Sequence, residues 1–198
     1  MKTEGRLRVA RFRSIAALVV AILMFCALPA QTETVLGEGL VRVLPGGAVI
    51  EVSGPLIGAM GEQLRAALRE APEAKLVRLN SAGGIIATAL EIQTAILARG
   101  MATEVRHVCN SACTIAFLGG KQRTAVRGAR FGFHRASAAD ASFNSADLMV
   151  RGLYLHAGVT EDFVHRALAA PHETMWFPPI TAMLKAGFVS GIIARETP

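Results

Sequence analysis

Leu79-Asn80-Ser81-Ala82-Gly83-Gly84 ends a short apolar run, Leu76-Val77-Arg78-Leu79, and opens a helical one: Ile85, Ile86, Ala89, Leu90, Ile92 and Ile96, stopping at Gly100. Strand, paired-glycine loop and helix in that order make one unit of a parallel sheet, so the chain reads as α/β. Two later stretches repeat the pattern. Thr103 to Val108 predicts a strand running into Cys109-Asn110-Ser111-Ala112-Cys113, and Ala112 to Leu118 predicts a short apolar helix closed by Gly119-Gly120. Ala129 to Phe133 predicts another strand, which delivers His134 at its end. Sites in open parallel sheets lie at the carboxyl ends of the strands. Gly83-Gly84, Ser111 and His134 each follow a predicted strand, so the fold is expected to gather them on one edge.

Outward from this centre the reading continues both ways. Leu40 to Leu44 and Ala48 to Val52 alternate around Pro45-Gly46-Gly47, which predicts a hairpin. Ile57, Met60, Leu64, Ala67 and Leu68 predict a helix ended by Pro72. Beyond His134, Ala136 to Asn144 is small and polar and reads as a loop. Helices are predicted from Asp147 to His156, from Thr160 to Ala169, and from Pro178-Pro179 to Gly187, with Phe188-Val189 as a last strand.

The 198 residues, 52% of them hydrophobic, suit one domain with an adequate core. Lys2, Arg6, Arg8, Arg11 and Arg13 precede an apolar run from Ile15 to Leu28 that ends at Pro29-Ala30. Residues 1–30 therefore read as a signal peptide for export or, uncleaved, as an N-terminal membrane anchor. Residues 31–39 read as a linker and 40–198 as the domain. The expected location is periplasmic, or inner-membrane anchored and facing the periplasm. The whole chain carries +6, but residues 31–198 hold 16 basic against 14 acidic side chains, a net +2. Nothing in that balance suggests nucleic acid as a partner.

A serine hydroxyl is a weak nucleophile until a base takes its proton. At a strand-to-helix turn, Ser111 is exposed beside the N-terminal amides of the helix; a plain helix N-cap is the alternative role. His134 is the candidate base. Gly83 and Gly84 let main-chain amides approach a developing oxyanion without side-chain obstruction, the alternative being an ordinary turn. His107 reads as a sheet residue; His156, His165 and His172 read as helix-face or turn residues. No pair has metal-ligand spacing, and no metal or cofactor is expected. Cys109 and Cys113 flank Ser111. In an exported chain they read either as a disulfide or as two small buried thiols.

These residues carry a resemblance. Leu79 to Gly84 resembles the N-S-P-G-G loop of the Clp protease proteolytic subunit, with Ala82 where proline usually stands. Ser111-Ala112 corresponds to that family's nucleophile and the following residue. Phe133-His134-Arg135 resembles its I-H-Q-P strand end, and the 23-residue spacing from Ser111 to His134 is similar to the family's. Ala182 to Val189 resembles its closing E-A-x-x-Y-G-L-V. The likeness spans about residues 40–192 and is nearest to exported Clp-like bacterial proteins described as predicted periplasmic proteins. It implies the ClpP/crotonase-like superhelix of ββα units and peptide hydrolysis through an acyl-enzyme. By position, Ser111 would be the nucleophile, His134 the base, and the amides of the Gly83-Gly84 loop and Ala112 the oxyanion hole. The family's acid aligns with Thr174; Glu173 beside it is the candidate, with Asp140, Asp147 and Asp162 behind it. Lys121 is the nearest lysine for a Ser–Lys dyad of the signal peptide peptidase A kind. The resemblance implies a peptide or protein substrate, self-association as a homo-oligomer, and no ATPase partner in the periplasm. A catalytically degenerate module that binds peptides or protein partners is the alternative. Acyl-CoA chemistry of the crotonase kind is disfavoured in an exported chain.

Overall fold

The computed structural model describes residues 39–136 and 145–195. The expected leader with Cys26, residues 31–38 of the linker, and residues 137–144 with Asp140 lie outside the described residues. None of the described helices is long and apolar enough to cross a membrane.

The predicted hairpin is present: β1 (Leu40–Val43) pairs antiparallel with β2 (Val49–Ser53). From β2 onward every pairing is parallel. β3 (Leu76–Ser81) lies beside β2, and β4 (Ala102–Asn110) beside β3. Two strands share the far side of β4. Thr103–Val105 pairs with β5 (Arg123–Val126), whereas Val108–Asn110 pairs with β6 (Arg130–Gly132). β7 (Gly191–Ile193) closes the sheet against β5. Between the two halves of β4 the register with β3 also slips: Leu79 faces Val105, but Ser81 faces Cys109. The slip and the change of partner position the site. They set Ser81 beside Cys109 on one side, and Gly132 opposite Asn110 on the other. The three loops that follow these strand ends therefore start from adjacent points.

Six helices occur among the described residues: α1 (Met60–Glu70), α2 (Ile86–Ala98), α3 (Ala112–Phe117), α4 (Ser145–His156), α5 (Glu161–Ala169) and α6 (Ile180–Lys185). Each of α1 to α4 packs on the next. α1 buries Met60, Leu64, Ala67 and Leu68 of the expected stripe against a sheet whose Ile50, Val52, Val77, Leu79 and Val105 are inaccessible to solvent, while Ile57 lies before the helix and is exposed. A second centre is aromatic. Phe133 lies 5.0 Å from Phe188 and 5.3 Å from Phe163, centroid to centroid, with Tyr154 and Trp176 completing its surroundings.

Two expectations need correction. Phe188-Val189 is not a strand. Both side chains are buried, and both backbone N–H groups donate to Met183 O at the end of α6; pairing begins two residues later at Gly191. β5 was not expected at all. Its register is set by β4 and β7 on either side rather than by any apolar alternation of its own.

Candidate active site

Ser111 is the one non-glycine residue among the described residues with positive φ (52°, ψ −127°). L-residues rarely adopt this conformation, which costs about 1–3 kcal/mol, so neighbouring bonds must hold it. Ser111 N–H donates to Gly132 O at 2.8 Å. Ser111 O accepts from Thr114 N–H at 2.9 Å and from Thr114 Oγ1 at 2.5 Å. Thr114 Oγ1 has one proton and gives it to that carbonyl, so the contact at 2.6 Å is donated by the buried Tyr154 hydroxyl. Burial pushes the Tyr154 phenol far above its ordinary value, which keeps it a donor. Cys109 and Cys113 bracket the turn and are bonded to each other, with Cα atoms 5.2 Å apart, inside the span a disulfide needs. Ser111 precedes α3, yet its side chain makes no capping bond, and the residue lines the cleft.

The glycine loop meets this turn from β3. Ser81 Oγ, buried, accepts from Gly83 N–H at 3.0 Å, so the Gly83 amide is already engaged. Gly83 O accepts from Leu56 N, and Ile85 N donates to Leu56 O, both at 2.8 Å. Gly84 N–H has no acceptor among the described residues, and neither has Ala112 N–H at the start of α3. Both residues line the same cleft as Ser111. The close approach requires glycine: a Cβ on Gly83 would stand 2.7 Å from Ser111 Cβ, and one on Gly84 would run into the Leu56 carbonyl.

His134 follows Phe133, which bonds Trp176 through both its N–H and its carbonyl; Arg135 N–H donates to Ala170 O at 2.9 Å. The imidazole is thus held between two tethered neighbours, opposite the turn of residues 171–174. His134 Nδ1 lies 2.7 Å from Arg135 O. A carbonyl only accepts, so Nδ1 carries the proton and Nε2 keeps the lone pair of a base. Burial pulls His134 below its ordinary pKa, as does the His172 charge, while the Arg135 carbonyl, Asp147 and Glu173 act in the opposite direction. Ser111, Ala112, Gly84 and His134 together line a cleft of about 320 Å³, whose apolar walls include Ile86, Ile115, Phe133 and Val150.

No carboxylate hydrogen-bonds to His134 among the described residues. Glu173 is exposed on its turn and acts on the ring only through its charge. Asp147 Oδ1 accepts from Ala136 N–H at 2.7 Å, fixing the backbone two residues beyond the histidine. Asp162 is exposed on α5, and Lys121 lines a different depression beside Arg123 and His156. The side chain that does reach the ring is His172, with centroids 4.8 Å apart. Its sequence signal was its place in Pro171-His172-Glu173-Thr174, ahead of Trp176. Thr114 and Tyr154 gave no signal, because a buried hydroxyl pair is assembled from two helices. Among the described residues no group of three or more His, Cys, Asp or Glu side chains is arranged to hold a metal.

No sequence-family profile and no curated protein matches the chain. Its fold does match solved structures. One is a mutant ClpP1 from Listeria monocytogenes, with a TM-score of 0.61 and 13% identity over 76% of this chain and 93% of that one. The fold is therefore ClpP-like.

Proposed function

We propose that this protein is a serine hydrolase, most specifically a peptidase that works through an acyl-enzyme on Ser111. One observation carries the reading: a serine held at positive φ shares a cleft with a Nδ1-protonated histidine and two main-chain N–H groups that lack acceptors among the described residues. His134 Nε2 takes the proton from Ser111 Oγ as that oxygen attacks the substrate carbonyl carbon. The carbonyl oxygen, now negative, is received by the amides of Gly84 and Ala112. His134 then passes its proton to the leaving amine, the C–N bond breaks, and water cleaves the Ser111 ester by the same route in reverse. Glu173 and Asp147 favour the transient imidazolium through their charge.

The basic, apolar leader and the bonded Cys109–Cys113 pair support an exported protein at work in the periplasm, free or held at the membrane by residues 1–30. Peptide segments are the proposed substrate, with no ATPase partner, and the ClpP-like fold supports self-association. A second reading has its own observation. No hydrogen bond joins Ser111 Oγ to His134, as in a module that holds peptides without cleaving them.

Treatment of the purified protein with a fluorophosphonate probe separates the two. Labelling of the wild type that disappears in Ser111→Ala and drops by about 10²-fold or more in His134→Ala supports the hydrolase. Equal labelling of wild type and Ser111→Ala, with peptide binding intact, supports the binding module instead.

A further inference from the structure

The group that orients a catalytic histidine is ordinarily a carboxylate on Nδ1, and here a main-chain carbonyl occupies that position. The remaining freedom of the ring is to swing about χ1 and χ2 into the open cleft. Among the described residues, one ring stands against it. The His172 ring meets the His134 ring edge to face, at 66° between planes and 4.8 Å between centroids, and both line the cleft. The turn that carries His172 is itself fixed. Thr174 N–H and Thr174 Oγ1 both bond Pro171 O, and the flanking residues Ala170 and Trp176 are bonded to Arg135 and Phe133. The two histidines are therefore held against each other by the same main-chain pairing that positions the base.

We propose that His172 is the positioning residue for His134, bracing its imidazole from the 171–174 turn in the place where a carboxylate would be expected. This rests on the hydrolase reading of the cleft. The brace has two separable parts, shape and charge. Shape keeps Nε2 aimed at Ser111. Charge on His172 adds to burial in opposing protonation of His134, so His134 stays a free base to lower pH than an isolated imidazole does. Asp147 from the first turn of α4 and Glu173 from the same turn as His172 act on His134 in the opposite sense, and Arg135 adjoins it in the chain. Neither carboxylate hydrogen-bonds to the ring, whereas His172 is in ring contact with it.

Two substitutions distinguish these parts. His172→Phe keeps a ring and removes the charge; His172→Ala removes both. His172 is exposed, so both variants are expected to fold, and thermal midpoints within a few degrees of wild type verify this. The full-length protein with 13C-labelled histidine is titrated by NMR, the His134 resonance being assigned from its loss in His134→Ala. The His134 midpoint is expected to rise in both variants. The rate of fluorophosphonate labelling, followed against pH, is expected to keep its high-pH plateau in His172→Phe and to lose about tenfold in His172→Ala. A His134 midpoint unmoved by either substitution, or a plateau equal in His172→Ala and wild type, overturns the proposal. Absence of labelling in the wild type would instead overturn the hydrolase reading, and the NMR midpoints would still decide whether the two rings are coupled.

Discussion

At the scale of single residues the cleft is defined by what is missing. Gly83 and Gly84 supply no side chain, which lets β3 close on the Ser111 turn. Gly83→Ala would set a Cβ 2.7 Å from Ser111 Cβ and 2.8 Å from Asn110 O, at a backbone φ of 109°. Two incompatibilities at one position are expected to abolish probe labelling and lower stability by about 2 kcal/mol or more, measured by urea unfolding. Thr114 makes a different case. Thr114→Val conserves volume but strands the Tyr154 hydroxyl and one bond of the Ser111 carbonyl, with an expected loss of about 1–3 kcal/mol. Tyr154→Phe leaves Thr114 bonded to Ser111 O and is expected to cost about 1 kcal/mol. The difference between these two melts reports how much of the elbow's strain the threonine alone sustains.

Among the elements, β5 is paired with β4 and β7 along its backbone and is tied to the helix ends by one side chain. Arg123 extends its guanidinium to the carbonyls of Phe188, Gly120, Ala157 and Gly187, at 2.8–3.4 Å. It thereby ties the ends of α3, α4 and α6 to one strand. Burial lowers its pKa, yet arginine starts high enough to remain charged, and the carbonyls replace its hydration. Arg123→Lys cannot reach four acceptors in three directions and is expected to cost about 2–3 kcal/mol in chemical denaturation, with the Ser111 labelling rate little changed. The same residue shows why β5 was illegible. A strand that begins with a charged residue and contains one strongly apolar side chain has no period to detect; its pairing is a tertiary fact. β3 was legible because Leu76, Val77 and Leu79 run into paired glycines, and β4 and β6 because β-branched or aromatic residues lead into the Cys109–Cys113 stretch and up to His134. That is why Gly84, Ser111 and His134 could be assigned to one sheet edge before any coordinates. The contact between His172 and His134 was not legible. It depends on the antiparallel bridge of Phe133 to Trp176, two residues that the chain separates widely.

For the molecule as a whole, acid sensitivity is expected to arise from the sheet rather than the cleft. Glu104, buried on β4, accepts from Arg78 Nε at 2.7 Å and Arg106 Nε at 2.8 Å. Burial alone would raise its carboxyl pKa; the two guanidinium bonds outweigh that and hold it below the ordinary value. A depressed folded-state pKa stabilises the fold above the unfolded value and ceases to do so as pH falls through the folded one. Glu104→Gln is therefore expected to lose about 2 kcal/mol near neutrality and to show a flatter decline in stability below about pH 5, followed by circular dichroism. The cleft has a different exposure to change. The acceptor that fixes the tautomer of His134 is the peptide oxygen of Arg135, an atom that every amino acid brings to that position. No codon encodes it and no point substitution deletes it. Inheritance can wear away acidic side chains around this imidazole while its proton stays on the same nitrogen, so only a lesion that bends the main chain itself can erase that instruction.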